Sequence, residues 1–244
     1  MAKASEAKFV GWSKGWSPED YNVLFSAGAI LSSFGRCDLS EKHCLDVGGG
    51  IGSFASFIAD ITDMSVDVID PSSLAWSNFI DNKKVNLIRD DFMNFSSNRQ
   101  YDIISINLVL HHVIDPAGHQ DRTLLLQSAF LSKAKSLLAK NGLLIIQENF
   151  YNGYFNTDIP GQLVNILTGS QLLSKILKPF ANTAGEGVRF RSISKWIKIL
   201  EACGFTVESS AMATKWGDWR LAVTKRFFFM KEGRQGVLIC KIKE

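Results

Sequence analysis

The chain has 244 residues, of which 46% are hydrophobic and 21% are charged, and its formal net charge at pH 7 is +3. This length suits one large domain, and this composition is that of an ordinary globular protein. The small positive charge does not amount to the clustered basic surface of a nucleic-acid-binding protein, and no apolar run approaches the roughly 20 residues that span a bilayer. Because the first residues lack the apolar core of a signal peptide, we expect a cytoplasmic protein.

The four cysteines are scattered along the chain without the CxxC spacing of metal or redox sites. Three of them lie in apolar surroundings, where a free thiol packs as a small hydrophobic side chain. We therefore expect buried, reduced thiols, rather than disulfides or a metal site, at Cys37, Cys44, Cys203 and Cys240.

The first predicted helix has a clear start signal. Ser17 is a good N-cap, Pro18 suits the first helical position, and two acidic residues follow in the first turn. An apolar face then runs from Tyr21 to Phe34, and the pattern stops at Gly35. We expect this helix to lead into the main domain.

A glycine-rich turn follows the first predicted strand. The apolar run Cys44–Val47 ends in Gly48-Gly49-Gly50-Ile51-Gly52, and a helix-compatible segment covers Phe54–Ile61. A strand, a glycine turn and a helix start bring backbone N–H groups close to a ligand, because side chains would hold the ligand away. The spacing Asp-x-Gly-x-Gly-x-Gly differs from the GxGxxG fingerprint of nicotinamide cofactors.

Strands and helices then alternate over about a hundred residues, which is the signature of a parallel, doubly wound sheet. Open sheets of this kind bind ligands along the carboxyl ends of their strands, and polar residues end four of these strands: Asp70, Asp91, Asn107 and Glu148. The further strands are predicted at Met64–Ile69, Val85–Ile88, Tyr101–Asn107 and Leu143–Glu148, and the helices at Ser72–Ile80 and Arg122–Lys140.

Residues 149 to 188 break this alternation. They begin with an aromatic, turn-rich stretch and continue with an amphipathic run, Gly161–Phe180. A long insertion beside the ligand edge of a sheet usually caps the pocket, so we expect a helical lid. An amphipathic helix at a membrane surface or at a dimer interface would have the same pattern.

The rest of the chain predicts one more helix and two strands. Ser192 caps the helix, which ends at Gly204, and the strands cover Phe205–Met212 and Gly236–Lys243. Between these strands, residues 216 to 230 fit either a helix or a strand.

Taken in order, these motifs resemble class I S-adenosylmethionine (SAM) methyltransferases over roughly residues 20 to 244. The resemblance lies in the glycine loop, the acid after the second strand, Asp91-Phe92 after the third and Leu110-His111-His112 after the fourth. Around the helix before the sixth strand it lies in Arg189-Phe190-Arg191-Ser192, Trp196 and Ala202-Cys203-Gly204-Phe205. It implies an α/β fold of the Rossmann-like type, with a doubly wound, seven-stranded, mostly parallel sheet. It also implies a C-terminal antiparallel strand beside the fifth strand and a single domain over residues 1–244, with a leader or cap helix in 1–35 and the helical lid insertion in 149–188.

The resemblance implies SAM as the cofactor and assigns residues to it. A carboxylate after the second strand would accept hydrogen bonds from the ribose hydroxyls, Asp91 would meet the adenine amino group, and Phe92 would pack near the ring. Two alternatives stay open. Asp91 would lie in a solvated acidic turn, and Trp16 and Tyr21 would form the packing edge of the leader helix rather than part of a lid. The implied cofactor-binding residues are Tyr21, Asp46, Gly48, Gly50, Gly52, Asp70, Pro71, Asp91, Phe92 and Asn107.

A general base is needed only if the acceptor reacts as an anion, and histidine is the side chain best tuned for that role. His111 is the first candidate, with His112 and Glu148 as further catalytic candidates. The alternatives are that one histidine caps the strand while the other packs, and that Glu148 lies at the surface. We expect no metal site at His112, Asp115 and His119, because a Pro-Ala-Gly turn interrupts them.

The resemblance implies methyl transfer from SAM, and we expect a small-molecule acceptor that reacts at an oxygen, nitrogen or carbon atom. The mixed aromatic and aliphatic character of the predicted lid favours a partly apolar acceptor. No nucleic-acid partner is expected, and a homodimer is left open. Methylation of RNA or protein is an alternative, but there is no basic run, and Asn107-Leu108-Val109-Leu110 replaces the Asn-Pro-Pro-Tyr type of motif. Two more functions stay open: a non-catalytic SAM-binding partner or regulatory subunit and, remotely, a nicotinamide dehydrogenase.

Overall fold

A computed structural model describes residues 26–34, 38–154, 158–170, 185, 187–212 and 226–244. Several sequence predictions lie outside these residues. They are the roles of Trp16 and Tyr21, the thiol of Cys37, the second half of the amphipathic insertion and most of the ambiguous stretch 216–230.

The described residues form seven strands, six helices and a short 3₁₀ turn at Leu110–His112. The strands are β1 (His43–Val47), β2 (Ser65–Ile69), β3 (Val85–Ile88), β4 (Tyr101–Asn107), β5 (Leu138–Gly153), β6 (Phe205–Met212) and β7 (Met230–Ile242). The helices are α1 (Ser26–Phe34), α2 (Ser53–Thr62), α3 (Ser73–Ser77), α4 (Gln120–Leu137), α5 (Ile159–Gly169) and α6 (Ile193–Ala202).

The strands form one sheet in the order β3-β2-β1-β4-β5-β7-β6. Strand β7 runs antiparallel to both of its neighbours, β5 and β6, whereas the pairs from β3 to β5 are parallel. The predicted doubly wound, mostly parallel sheet with an antiparallel strand beside the fifth is therefore confirmed. The chain reverses its direction across the sheet between β1 and β4, and ligands of such sheets bind in the crevice at that reversal.

Apolar side chains alternate along the strands and form a core on each face of the sheet. In β1, Leu45 packs in a cluster with Trp196 of α6, whereas Cys44 packs with Phe54 and Ile58 of α2 on the opposite face. Both clusters are buried, and each large apolar side chain removed from water contributes about 1.5–3 kcal/mol. Because helices cover both faces, the carboxyl edge is the part of such a sheet that is open to a ligand.

Strand β5 is longer than the sequence predicted. The expected break at residue 149 is wrong, because Asn149 to Gly153 continue the strand and pair with β7, which itself begins at Met230 rather than Gly236. Pairing and burial override the turn-forming character of this stretch: Phe150 is fully buried and lies opposite Arg234. The two strands therefore extend together past Glu148, where the sequence predicted the strand to end.

The rest of the insertion is described in part. Helix α5 begins two residues before the predicted amphipathic run, and residues 171–184 lie outside the described ranges, so the lid stays a prediction. The thiols of Cys44 and Cys240 are free and buried, as predicted, whereas the free thiol of Cys203 is only half-buried. Among the described residues, no helix combines the length and the apolar character that crossing a membrane requires.

Candidate active site

The glycine loop connects β1 to α2 and lies against the segment that follows β4. Gly48, Gly50 and Gly52 all have positive φ, at 68°, 59° and 80°. A Cβ atom on Gly48 would also lie 2.5 Å from Cγ2 of Val109, so backbone conformation and close packing both require glycine there. The loop therefore packs closely against Val109, the residue that directly precedes the 3₁₀ turn.

A buried carboxyl group lies beneath this loop. Asp46 is fully buried, and its Oδ1 is 3.4 Å from the Nδ2 of Asn107, which also donates to the Oγ of Ser105 at 2.8 Å. Its other oxygen, Oδ2, has no hydrogen-bond partner among the described residues. Burial and, after it, the nearby charge of Asp70 together raise the pKa of Asp46 to about 7, and the hydrogen bond from Asn107 opposes the rise.

Asp70 joins the end of β2 to the glycine loop. Its Oδ2 accepts from the backbone N–H of Gly50 at 3.0 Å, and its Oδ1 accepts from that of Ser72 at 2.8 Å. Burial raises the pKa of Asp70, and these two hydrogen bonds oppose the rise. Because a carboxylate offers about four acceptor positions, one remains on each oxygen. The neighbouring Pro71 is exposed.

The residues after β3 divide between the surface and the core. Asp91 is exposed, and its Oδ1 accepts from the backbone N–H of Met93 at 2.7 Å, so it caps its own turn. Phe92 is buried, and its ring centroid lies 4.6 Å from that of Phe130 on α4. Their predicted contacts with an adenine ring stay predictions.

The end of β4 has unusual backbone geometry. Leu108 has a φ of 57°, which costs a branched side chain free energy and is found mostly where neighbouring structure enforces it. Its N–H donates to the carbonyl oxygen of Gln147 in β5 at 2.8 Å. This conformation turns the chain out of the sheet and into the 3₁₀ turn that carries His111.

His111 and Glu148, which the sequence predicted separately, form one buried pair. The Nδ1 of His111 lies 2.9 Å from Oε2 and 3.1 Å from Oε1 of Glu148, and both side chains are 1% exposed. The backbone N–H of His111 also donates to Oε1, and that of Asn149 donates to Oε2. Because a carboxylate only accepts hydrogen bonds, the pair favours the tautomer with the proton on Nδ1 and a lone pair on Nε2.

Aromatic rings surround this pair. The His111 ring lies 4.7 Å from that of Phe190, at an interplanar angle of 25°, and Phe190 lies 4.5 Å from Tyr151. The ring centroid of His111 also lies 4.1 Å from that of His112, which is exposed. The two histidines therefore have different surroundings: His111 is buried against Glu148, whereas His112 lies at the surface.

A second polar cluster, which we name the arginine cluster, contacts the 3₁₀ turn through Gln127. It consists of Asp158, Arg189, Arg191 and Gln127, and its two guanidinium groups are buried. Arg189 and Arg191 both contact Oδ2 of Asp158, at 2.7 and 3.2 Å. Burial lowers the pKa of Arg189 to about 10 while the charge of Asp158 raises it, so the group stays protonated at neutral pH.

The sequence did not reveal this cluster. Asp158 precedes a helix and would be interpreted as its N-cap, but it makes no side-chain capping hydrogen bond. Gln127 lies in a helix of mixed character and is separated by 64 positions from its partner Arg191. No local pattern indicates such a long-range polar contact. The described residues also contain no group of side chains that fits a metal ion.

A sheet that reverses between β1 and β4, with a glycine loop and acidic residues at its carboxyl edge, defines a nucleotide-binding α/β protein. The family model of a methyltransferase domain matches residues 26–210. The chain therefore belongs to the methyltransferase-domain family. A search of the curated proteins found no match.

Solved structures share this fold. The chain resembles 1,6-didemethyltoxoflavin-N1-methyltransferase from Burkholderia thailandensis, solved with its namesake molecule and S-adenosylhomocysteine (TM-score 0.58, 15% identity, 100% of this chain and 89% of that chain). It also resembles magnesium protoporphyrin IX methyltransferase from Synechocystis PCC 6803, solved with S-adenosylhomocysteine (TM-score 0.57, 15% identity, 93% and 84%). A third structure is LepI with S-adenosylhomocysteine and a substrate analogue (TM-score 0.57, 10% identity, 88% and 46%), so this chain spans about half the length of LepI.

Proposed function

We propose that the chain transfers a methyl group from SAM to an oxygen, nitrogen or carbon nucleophile of a small-molecule acceptor. The observation that carries this proposal is the buried His111–Glu148 pair: His111 lies on the 3₁₀ turn, whose preceding residue Val109 borders the glycine loop, and Glu148 lies on β5. The family model supports methyl transfer in general, and the pair supports an acceptor that loses a proton when it reacts.

The residues at the carboxyl edge fit the proposed cofactor. The glycine loop offers backbone N–H groups close to the ligand, and Asp70 retains one acceptor position on each oxygen for the two ribose hydroxyls. Asp46 adds a buried oxygen with no partner among the described residues. SAM supplies a methyl group that its sulfonium has already activated, so the protein chiefly has to align the acceptor.

His111 is the proposed base. Glu148 fixes the imidazole through Nδ1, so that Nε2 is left to take a proton from the acceptor. A general base of this kind contributes about 10²- to 10⁴-fold in rate. Alignment of the reacting atoms contributes more, about 7–11 kcal/mol.

A partly apolar acceptor fits the surroundings of the pair. Phe190 packs on His111 and belongs to a buried cluster with Val164 of α5 and Val188. Apolar pockets with few polar groups are typical of small-molecule sites. The toxoflavin and porphyrin methyltransferases also act on small molecules by their names, which supports the same acceptor class here.

The first test is calorimetric titration with SAM, S-adenosylhomocysteine and, separately, NADH. We expect binding of the first two and none of NADH. Blank titrations with both SAM and S-adenosylhomocysteine would contradict the assignment. Extracts that contain candidate acceptors are then incubated with the protein and SAM, and mass spectrometry measures the methylated products. SAM binding without any methylated product would favour a non-catalytic SAM-binding partner instead.

Replacement of the base completes this test. His111→Ala should lower turnover by about 10²- to 10⁴-fold while SAM affinity is retained, because the imidazole is proposed to act on the acceptor. His43→Ala is the matched control, since His43 begins β1 and lies at the opposite end of that strand from the glycine loop. Equal turnover in His111→Ala and the wild type would show that His111 is not the base.

A further inference from the structure

The 3₁₀ turn that carries His111 is only three residues long, so its position depends on its neighbours. Outside contacts hold its backbone: the side-chain Nε2 of Gln127 donates to the carbonyl oxygen of Leu110 at 3.0 Å, and the N–H of Arg189 donates to that of His111 at 2.8 Å. The two carbonyl groups on either side of the His111 Cα atom are therefore both held by other elements.

Gln127 is fully buried on α4, and its amide orientation is unambiguous. Its Oε1 accepts from Nε of Arg191 at 2.6 Å, and a guanidinium only donates. Its NH₂ group faces the carbonyl oxygen of Leu110, which only accepts. A flipped amide would place donor against donor and acceptor against acceptor, so Gln127 connects the arginine cluster to the 3₁₀ turn in one orientation.

The arginine cluster connects in turn to α5. Asp158 directly precedes α5 and directs its carboxylate to Arg189, Arg191 and the N–H of Ser192 rather than to its own helix. The start of α5 also packs closely on the same segment, because a Cβ atom on Gly161 would lie 1.8 Å from the carbonyl oxygen of Phe190. A displacement of α5 therefore displaces the guanidinium that holds Gln127.

We infer that Gln127 is a positioning residue. Together with Arg191 and Asp158 it makes the position of His111 depend on the position of α5. This inference rests on the proposed function, in which His111 is the base. It adds that α5 does more than border the acceptor, because its position sets the position of the base. The contacts that connect the two run from Asp158 through Arg191 and Gln127 to the carbonyl group of Leu110.

The test compares two glutamines on the same helix. Gln127→Met removes both hydrogen bonds at similar volume, and Gln127→Glu retains an acceptor for Arg191 but places an oxygen against the carbonyl oxygen of Leu110. Gln120→Met is the matched control, because Gln120 on α4 bonds to Asn165 of α5 and not to the 3₁₀ turn. All variants are assayed for thermal unfolding, SAM affinity, kcat and acceptor KM.

Proton NMR of His111 tests the position of the imidazole without any substrate. The Nδ1–H that His111 shares with Glu148 should give a downfield proton signal, and with four histidines in the chain, His111→Ala suffices to assign it. We expect both Gln127 variants to lose or shift this signal and to lower kcat about 10- to 100-fold, with SAM affinity unchanged. Gln120→Met should change neither.

Folded Gln127 variants that keep both the resonance and kcat would overturn the inference. If Gln127→Met does not fold, Gln127→Glu decides, because it retains the partner of Arg191 and the volume of the side chain. A changed resonance in a protein without any methyltransferase activity would support the positioning role and contradict the proposed function. The two failures are therefore distinguishable.

Discussion

At the scale of single residues, the carboxylate of Asp70 combines a structural contact with acceptor positions that a ligand can use. It holds the end of β2 to the glycine loop through Gly50, and it keeps acceptor positions for a ligand. Hydrogen bonds to a charged group contribute about 1.5–3 kcal/mol each, so we expect the loss of this group to weaken SAM binding both directly and through the loop.

Asp70→Ala should therefore weaken SAM binding by about tenfold or more, since two ribose hydroxyls lose their acceptor. Calorimetric titration of the variant measures the effect. The control is Asp81→Ala, which removes an exposed carboxylate further along the chain. Unchanged SAM affinity in Asp70→Ala would show that this carboxylate does not contact the cofactor.

The sequence identified His111 and Glu148 as candidates but not the pair that they form. They were expected because His111 follows one predicted strand and Glu148 ends another, and parallel strands carry such residues to one edge. Their contact joins residues 37 positions apart in the sequence. It also depends on the positive φ of Leu108, which the residue type does not predict. The alternative of a surface role for Glu148 is wrong, because its side chain is fully buried.

At the scale of elements, the glycine loop is set by both conformation and contact. Gly48→Ala should destabilise the protein by about 1–3 kcal/mol, because a non-glycine residue would adopt a positive φ and its Cβ atom would meet Val109. SAM affinity should fall as well. Thermal unfolding and titration measure the two effects.

Gly118 provides the matched control for this prediction. It also has a positive φ, at 79°, but a Cβ atom there would meet nothing within 4 Å. Gly118→Ala should therefore show the cost of the backbone conformation alone. If Gly48→Ala were no more harmful than Gly118→Ala, the contact with Val109 would be of no consequence.

Strand boundaries show where sequence patterns suffice. The bounds of β3, β4 and β6 agree with the prediction, because an apolar or alternating run ends at a turn signal in each case. Strand β5 was predicted too short, since Asn152 and Gly153 favour turns locally while their pairing with β7 is a long-range contact. The helix before β5 was predicted too long for the same reason: Leu138 already pairs with Tyr101.

At the scale of the whole molecule, the buried carboxyl group of Asp46 links stability to pH. Its pKa is about 7 in the folded protein, against 3.8 for an ordinary aspartate. Between these values the folded protein binds more protons than the unfolded chain. Asp46 therefore lowers the free energy of unfolding as the pH rises through this range, by at most about 1.4 kcal/mol per pH unit.

Asp46→Asn should remove this dependence while it retains an acceptor for Asn107. We expect the variant to gain thermal stability over the wild type at about pH 8 and to gain less at about pH 5. Asp38→Asn is the control, because the pKa of exposed Asp38 is lowered by hydrogen bonds to Ser40 and its loss acts in the opposite direction. An equal difference at both pH values would contradict the raised pKa of Asp46.

The architecture was more predictable than the polar network within it. Repeated strands and helices, with glycine and acidic residues at fixed places, identify a doubly wound sheet and its ligand edge. The arginine cluster was missed because Asp158, Arg191 and Gln127 meet only after α4, α5 and the segment before α6 have packed. Long-range polar contacts carry no periodic signal in a sequence.

The placement of β7 has a consequence for how the molecule is made. Among the described strands, β6 pairs with β7 alone, yet β7 is synthesised after it. In the nascent chain β6 therefore has no partner, and β5 lacks its second neighbour, until the residues of β7 emerge. The exposed charge of Glu208 on β6 disfavours pairing of this edge with a foreign strand during that interval.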